Sequence, residues 1–152
     1  MTVAVQVETR IGRPPADVFA ELSAVERFPE WLVASGIKGV ERLDDGPLAT
    51  GSRLRISQSV AGRSTSLDGA VTVFDPGSAF GVRGRDLDGV TIELDAQLSS
   101  DDGMSTRLRW SLRMGLPLRY RMFESMVAPQ AKRAATLDLE AFKRRLESVA
   151  GH

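Results

Sequence analysis

Val3, Val5, Val7, Thr9 and Ile11 alternate with other residues in VAVQVETRI, the period-2 pattern of a strand with one buried face. Pro14 and Pro15 stop that strand. Proline is tolerated in a first helical turn because its missing N–H would have had no intrahelical partner. In the stretch that follows, Val18, Phe19 and Leu22 share one helical face, and Asp17 sits near the positive N-terminal end. A second turn around Val25 to Phe28 breaks at Pro29, since a residue before proline is pushed out of the α region. The pattern predicts two short helices forming a corner, with Trp31 turning its apolar surface back beneath the sheet.

Six more strand-like runs follow, roughly 37–43, 52–59, 65–74, 79–85, 90–99 and 104–114. The connectors DDGPLATG, AGR, DPGS, DLDG and SDDG carry turn residues at hairpin-sized spacing. Consecutive hairpins make an antiparallel meander, whose apolar face needs a cover. From Leu116 the apolar spacing becomes helical and holds to Val149, interrupted once at Pro129. That predicts one long terminal helix across the concave face, with the two short helices plugging an end.

Three stretches, PPADVFAELSAVERFPEWL, FDPGSAFGVRG and LDLEAFKRRLE, resemble the SRPBCC superfamily, and the resemblance spans essentially the whole chain. The superfamily includes steroidogenic-acute-regulatory-type (START-like) lipid-transfer domains, birch-pollen-allergen-like proteins, polyketide cyclases and certain subunits of carbon monoxide dehydrogenase. The resemblance implies an α+β helix-grip fold in one domain, residues 1–152. Its parts are a seven-stranded curved antiparallel sheet, a long C-terminal helix and two short helices after strand one. It implies a carrier or sensor that holds a small or medium hydrophobic ligand, such as a lipid or polyketide, between sheet and helix. Two further activities on such a fold are a polyketide cyclase or aromatase and an interaction module of a larger complex.

Alternation assigns the inner face. On the sixth strand Val90, Ile92, Leu94, Ala96 and Leu98 point one way, and Thr91, Glu93, Asp95, Gln97 and Ser99 the other. On the seventh, Leu108, Trp110, Leu112 and Met114 face in, while Arg107, Arg109 and Arg113 face out, across from Glu93 and Asp95. The terminal helix contributes Leu116, Tyr120, Phe123 and Val127 at helical spacing, then Ala131, Ala135, Leu139, Phe142, Leu146 and Val149. Alanines 128, 131, 134 and 135 around Pro129 leave room opposite a concave sheet. The expected cavity lining is Trp31, Leu94, Leu108, Trp110, Leu112, Tyr120, Phe123, Val127 and Ala131, with Trp31 also serving as a packed plug.

Composition then narrows the chemistry. Twenty basic residues cancel twenty acidic ones, so no net positive field draws the chain to nucleic acid or an anionic membrane. Acids interleave with the strand arginines, which reads as a solvated ladder rather than a phosphate groove. There is no cysteine, which removes disulfides, a thiolate nucleophile and cysteine-held metals. The one histidine is His152, so a histidine base, a Ser-His-Asp triad and a histidine metal site are not expected, nor is a cofactor. No paired carboxylates emerge; the polar residues that alternation could turn inward are Thr9, Gln58, Ser66, Asp68 and Thr72. No apolar run approaches the roughly 20 residues that span a bilayer, and MTVAVQVETR lacks the plan of a signal peptide. The expected location is cytoplasmic, without integral membrane contact. No signal specifies an oligomeric state.

Overall fold

Seven strands form one antiparallel sheet in the order β1-β7-β6-β5-β4-β3-β2 in the computed structural model, which describes residues 2–60 and 62–150. The strands are β1 (Thr2–Ile11), β2 (Ile37–Arg42), β3 (Arg53–Val60), β4 (Arg63–Asp75), β5 (Ala79–Arg85), β6 (Thr91–Ser99) and β7 (Thr106–Gly115). Helices α1 (Pro15–Leu22) and α2 (Phe28–Trp31) follow β1, and α3 (Glu124–Ala150) ends the chain. This is the helix-grip arrangement. Ala61 of the AGR turn and His152 lie outside the described residues, as does the side chain of Val149.

Pro14 caps α1 in extended conformation (φ −61°, ψ 152°), with Pro15 entering the first turn. Val18, Phe19 and Leu22 are buried by α1, and Phe28 and Trp31 by α2. On the sheet, a register shift between Val71 and Val73 lets both Val71 and Phe74 face the core while Thr72 faces out. The outer ladder differs from expectation at one rung: Glu93 stands opposite Arg113, but Asp95 stands opposite Ser111.

The terminal helix starts later than the spacing predicts. Gly115 ends β7, Pro117 keeps Leu116 from continuing as α-helix, and a 3-10 helix covers Leu118–Phe123 before α3 begins. With three residues per turn, a 3-10 segment does not keep i, i+4 residues on one face. Leu118, Met122 and Phe123 therefore stand 76%, 86% and 51% exposed, and Tyr120 is half-buried. Pro129 lies inside α3, which runs on through it.

The sheet and its helices have two unlike ends. At one, Trp31 packs on Phe28, Trp110 and Phe142 with ring centroids 5.8, 5.7 and 4.6 Å away, and Phe19 meets Phe74 and Phe80. The C-terminal half of α3 is fastened there. Arg145 donates to Glu21 (2.8 Å) and Glu30 (2.9 Å), Glu147 accepts from the Gly12 N–H (2.8 Å), and Arg13 donates to the Leu146 carbonyl (3.2 Å). Among the described residues the opposite end, where β3, β5 and β7 finish, has no such plug.

Candidate ligand-binding cavity

A cavity of about 340 Å³ lies between that unplugged end of the sheet and the first turns of α3. Its sheet wall is Ile56, Gln58 and Val60 of β3, Leu67 of β4, Val82 and Gly84 of β5, Ile92 and Leu94 of β6, and Trp110, Leu112 and Met114 of β7. Val127, Gln130, Ala131, Ala134 and Ala135 of α3 form the opposite wall, and Phe28, Leu32, Ala34, Ser35 and Ile37 close the side. Two small-residue features keep it open. Alanines face it from the helix, and inward-facing Gly84 has no side chain; a Cβ there would meet the Leu67 Cβ at 3.2 Å. Val60 and Gln130 are exposed as well as lining, so the cavity reaches solvent beside them.

Among the described residues the lining is apolar apart from Ser35, Gln58, Gln130 and the Trp110 indole, and none of them has a titratable side chain. The polar pole at Ser35 and Gln58 is built from behind. Asp138 of α3 is 1% exposed, and its carboxylate accepts from the Ala34 N–H (2.8 Å), the Ser35 N–H (3.1 Å) and the Ser35 hydroxyl (2.5 Å). Burial pushes its pKa up, partly opposed by those three hydrogen bonds. The Ser35 carbonyl in turn accepts from Gln58 Nε2 at 2.9 Å. Gly36 makes this approach possible: its φ is +77°, and a Cβ would fall 2.2 Å from the Ser59 carbonyl oxygen.

Among the residues expected to line a cavity, Leu94, Trp110, Leu112, Val127 and Ala131 come together in it. Trp31 and Leu108 do not. Both are buried to 1% or less in the plugged end, because alternation identifies an inward residue without saying whether inward is packed or open. Tyr120 and Phe123 are also elsewhere, on the 3-10 helix. The Tyr120 hydroxyl accepts from Arg63 Nη1 (3.2 Å), and this hydrogen bond, followed by one with Arg119, lowers the phenol's pKa. Arg63 and Arg119 both pair with Asp88, so the 3-10 helix and two turns are tied together at this end. Of the five polar candidates only Gln58 lines the cavity; Ser66, Asp68 and Thr72 face solvent, and Thr9 is half-buried on β1. Ser35 and Asp138 were missed. The available signal was an aspartate on the buried stripe of Ala135, Leu139, Phe142 and Leu146.

Among the described residues, no helix is long and apolar enough to cross a membrane, and no group of three acidic, histidine or cysteine side chains is placed to hold a metal ion.

The family model described as polyketide cyclase / dehydrase and lipid transport matches residues 2–147. Among solved structures, the chain is similar to the Zhui aromatase/cyclase of Streptomyces sp. R1128, with TM-score 0.78, 16% identity and coverage of 97% of this chain and 94% of that one. It is similar to a START superfamily protein of Mycobacterium smegmatis (TM-score 0.74, 18% identity, 96% and 98% covered). A third similar structure is TTHA0849 of Thermus thermophilus (TM-score 0.77, 15% identity, 96% and 98% covered). At these identities the likeness shows the fold. No curated protein matches the sequence.

Proposed function

Because the chain belongs to the polyketide cyclase / dehydrase and lipid transport family, we propose that it carries or senses a small or medium hydrophobic ligand without transforming it. Leu94, Trp110, Leu112, Val127 and Ala131 contact that ligand. One observation carries this reading: the cavity is apolar, and among the described residues no titratable side chain lines it. Acid–base work on a polyketide needs such a group within hydrogen-bond reach of the reacting atoms. The volume falls at the small end of the roughly 300–1,000 Å³ typical of small-molecule sites.

The test is binding of the uncharged fluorescent probe N-phenyl-1-naphthylamine, with mass spectrometry of small molecules extracted from the purified protein to name the natural ligand. The probe should bind with low-micromolar to millimolar affinity, on the order of −8 to −4 kcal/mol. Ala131→Trp fills the space between helix and sheet. It should cut that affinity at least about tenfold while the protein stays folded. Unchanged affinity in this variant would remove the cavity from consideration, and conversion of an added poly-β-ketone would replace the carrier reading with a cyclase.

A further inference from the structure

The polar pole of the cavity says what kind of molecule the apolar walls are meant to hold. A carbonyl oxygen only accepts hydrogen bonds, so the atom of Gln58 that faces the Ser35 carbonyl must be Nε2, and this fixes the orientation of the amide. Gln58 Oε1 then has no donor among the described residues. It is not a sealed, orphaned atom either, since among the described residues the buried side-chain atoms without partners are Trp31 Nε1 and Arg42 Nε. An accessible acceptor is thus held at the cavity wall. It is held rigidly: Asp138 fixes the backbone and hydroxyl of Ser35, and Ser35 fixes Gln58. A ligand that uses this acceptor bears no cost of ordering the side chain.

Charge limits the choice further. Among the described residues no lysine, arginine or histidine lines the cavity, and the acid Asp138 sits directly behind Ser35. A ligand carboxylate placed at this pole would be desolvated with no cation to pair it, which is strongly unfavourable.

We infer that Gln58 is a specificity-determining residue, and that the ligand is an uncharged molecule with an apolar body and a hydroxyl, phenolic or alcoholic, that donates to Gln58 Oε1. The inference rests on the ligand-cavity reading above. An apolar ligand of the same shape leaves the Gln58 acceptor buried and unpaired, and a carboxylate meets the wrong field.

Two probes of nearly equal size, 2-naphthol and 2-methylnaphthalene, separate this inference from that reading. Affinities for both are measured by titration with the full chain and with Gln58→Leu, and 2-naphthoate serves as the charged comparison. The ratio of 2-naphthol to 2-methylnaphthalene affinity should fall about tenfold in Gln58→Leu, the size of one net hydrogen bond plus a desolvated acceptor. In the wild-type protein 2-naphthoate should bind at least about ten times more weakly than 2-naphthol. A second readout does not depend on the variant folding: the Gln58 side-chain amide resonances of wild type should shift with 2-naphthol and not with 2-methylnaphthalene. If both naphthalenes bind but the ratio is unchanged, or the amide responds alike to both, the inference falls and the cavity stands. Tight binding of 2-naphthoate would overturn the exclusion of acids. If neither naphthalene binds wild type, the cavity reading falls and takes this inference with it.

Discussion

From Asp138 to Ser148, α3 buries Leu139, Phe142 and Leu146 and is fastened through Asp138, Arg145 and Glu147 to the loops and helices that follow β1. From Ser125 to Leu137 the same helix buries only Ala135, and its side chains make no hydrogen bond beyond the helix among the described residues. Both halves cross the same concave sheet. The difference lies in what meets them: a plug built on Phe28 and Trp31 at one end, open volume at the other. Anchoring and accommodation are thus separated along a single helix, and empty space is kept where little of the core's stability resides.

The sharpest test of that division is matched truncation. Trp31→Ala or Phe142→Ala should destabilise by about 3–5 kcal/mol, through lost contacts and a residual cavity. Val127→Ala, on the cavity wall, should cost under about 1 kcal/mol. Urea unfolding measures all three, and a Val127→Ala loss as large as that of Phe142→Ala would abolish the distinction.

A smaller effect is expected where the halves meet. Asp138→Ala strands the Ala34 N–H, the Ser35 N–H and the Ser35 hydroxyl, and should cost about 2–3 kcal/mol. The pH dependence has a definite sign. The folded pKa of Asp138 is raised, so the folded protein holds this proton more tightly than the unfolded chain does. Its contribution is therefore greatest below the ordinary carboxylate range, declines as pH rises from there to the raised folded value, and is flat above it. Asp138→Asn should remove that decline. Unfolding midpoints for wild type and Asp138→Asn between about pH 4 and about pH 7 measure it, and parallel curves would assign the slope to other groups.

The smallest expected effect is dynamic. Pro129 cannot donate to the Ser125 carbonyl, and few buried contacts hold the turns around it. Amides in 125–134 should exchange at least about tenfold faster than those in 139–148, because local opening there breaks less packing. Bound N-phenyl-1-naphthylamine should narrow the gap. Equal protection of both segments, with and without the probe, would mean that α3 moves as one body.

Much of this architecture was readable from side-chain periodicity. Period-2 alternation located every strand to within about two residues, and it placed Leu94, Leu112 and Trp110 on the inner face. It could not distinguish Leu94 from Leu98. Both point inward on β6, but Leu98 is 9% exposed beneath the plug while Leu94 lines open space, a difference set by elements far away in sequence. Periodicity does not separate the 3-10 helix from α3, because apolar residues three apart fit an α-helical stripe as well as a 3-10 turn. The polar pole was out of reach for another reason: Ser35 and Asp138 are 103 residues apart, and no local pattern announces a hydrogen bond over that distance.

The strand order also sets the sequence in which the chain can assemble. Five of the six strand pairings join neighbours through hairpins, whereas β1 pairs with β7 across about a hundred residues of chain, Val3 with Met114 and Ile11 with Thr106. Because loop-closure entropy grows only logarithmically with length, this costs little at equilibrium but weighs on the rate. During synthesis β1 emerges first, with the apolar edge of Val3, Val5 and Ile11 unpaired until β7 has left the ribosome. Until then it is the segment most open to mispairing with other chains. Rapid refolding at high protein concentration should therefore lose material to aggregation in proportion to how long β1 waits, and a synonymous slow-down late in translation should be tolerated less well than one before β2.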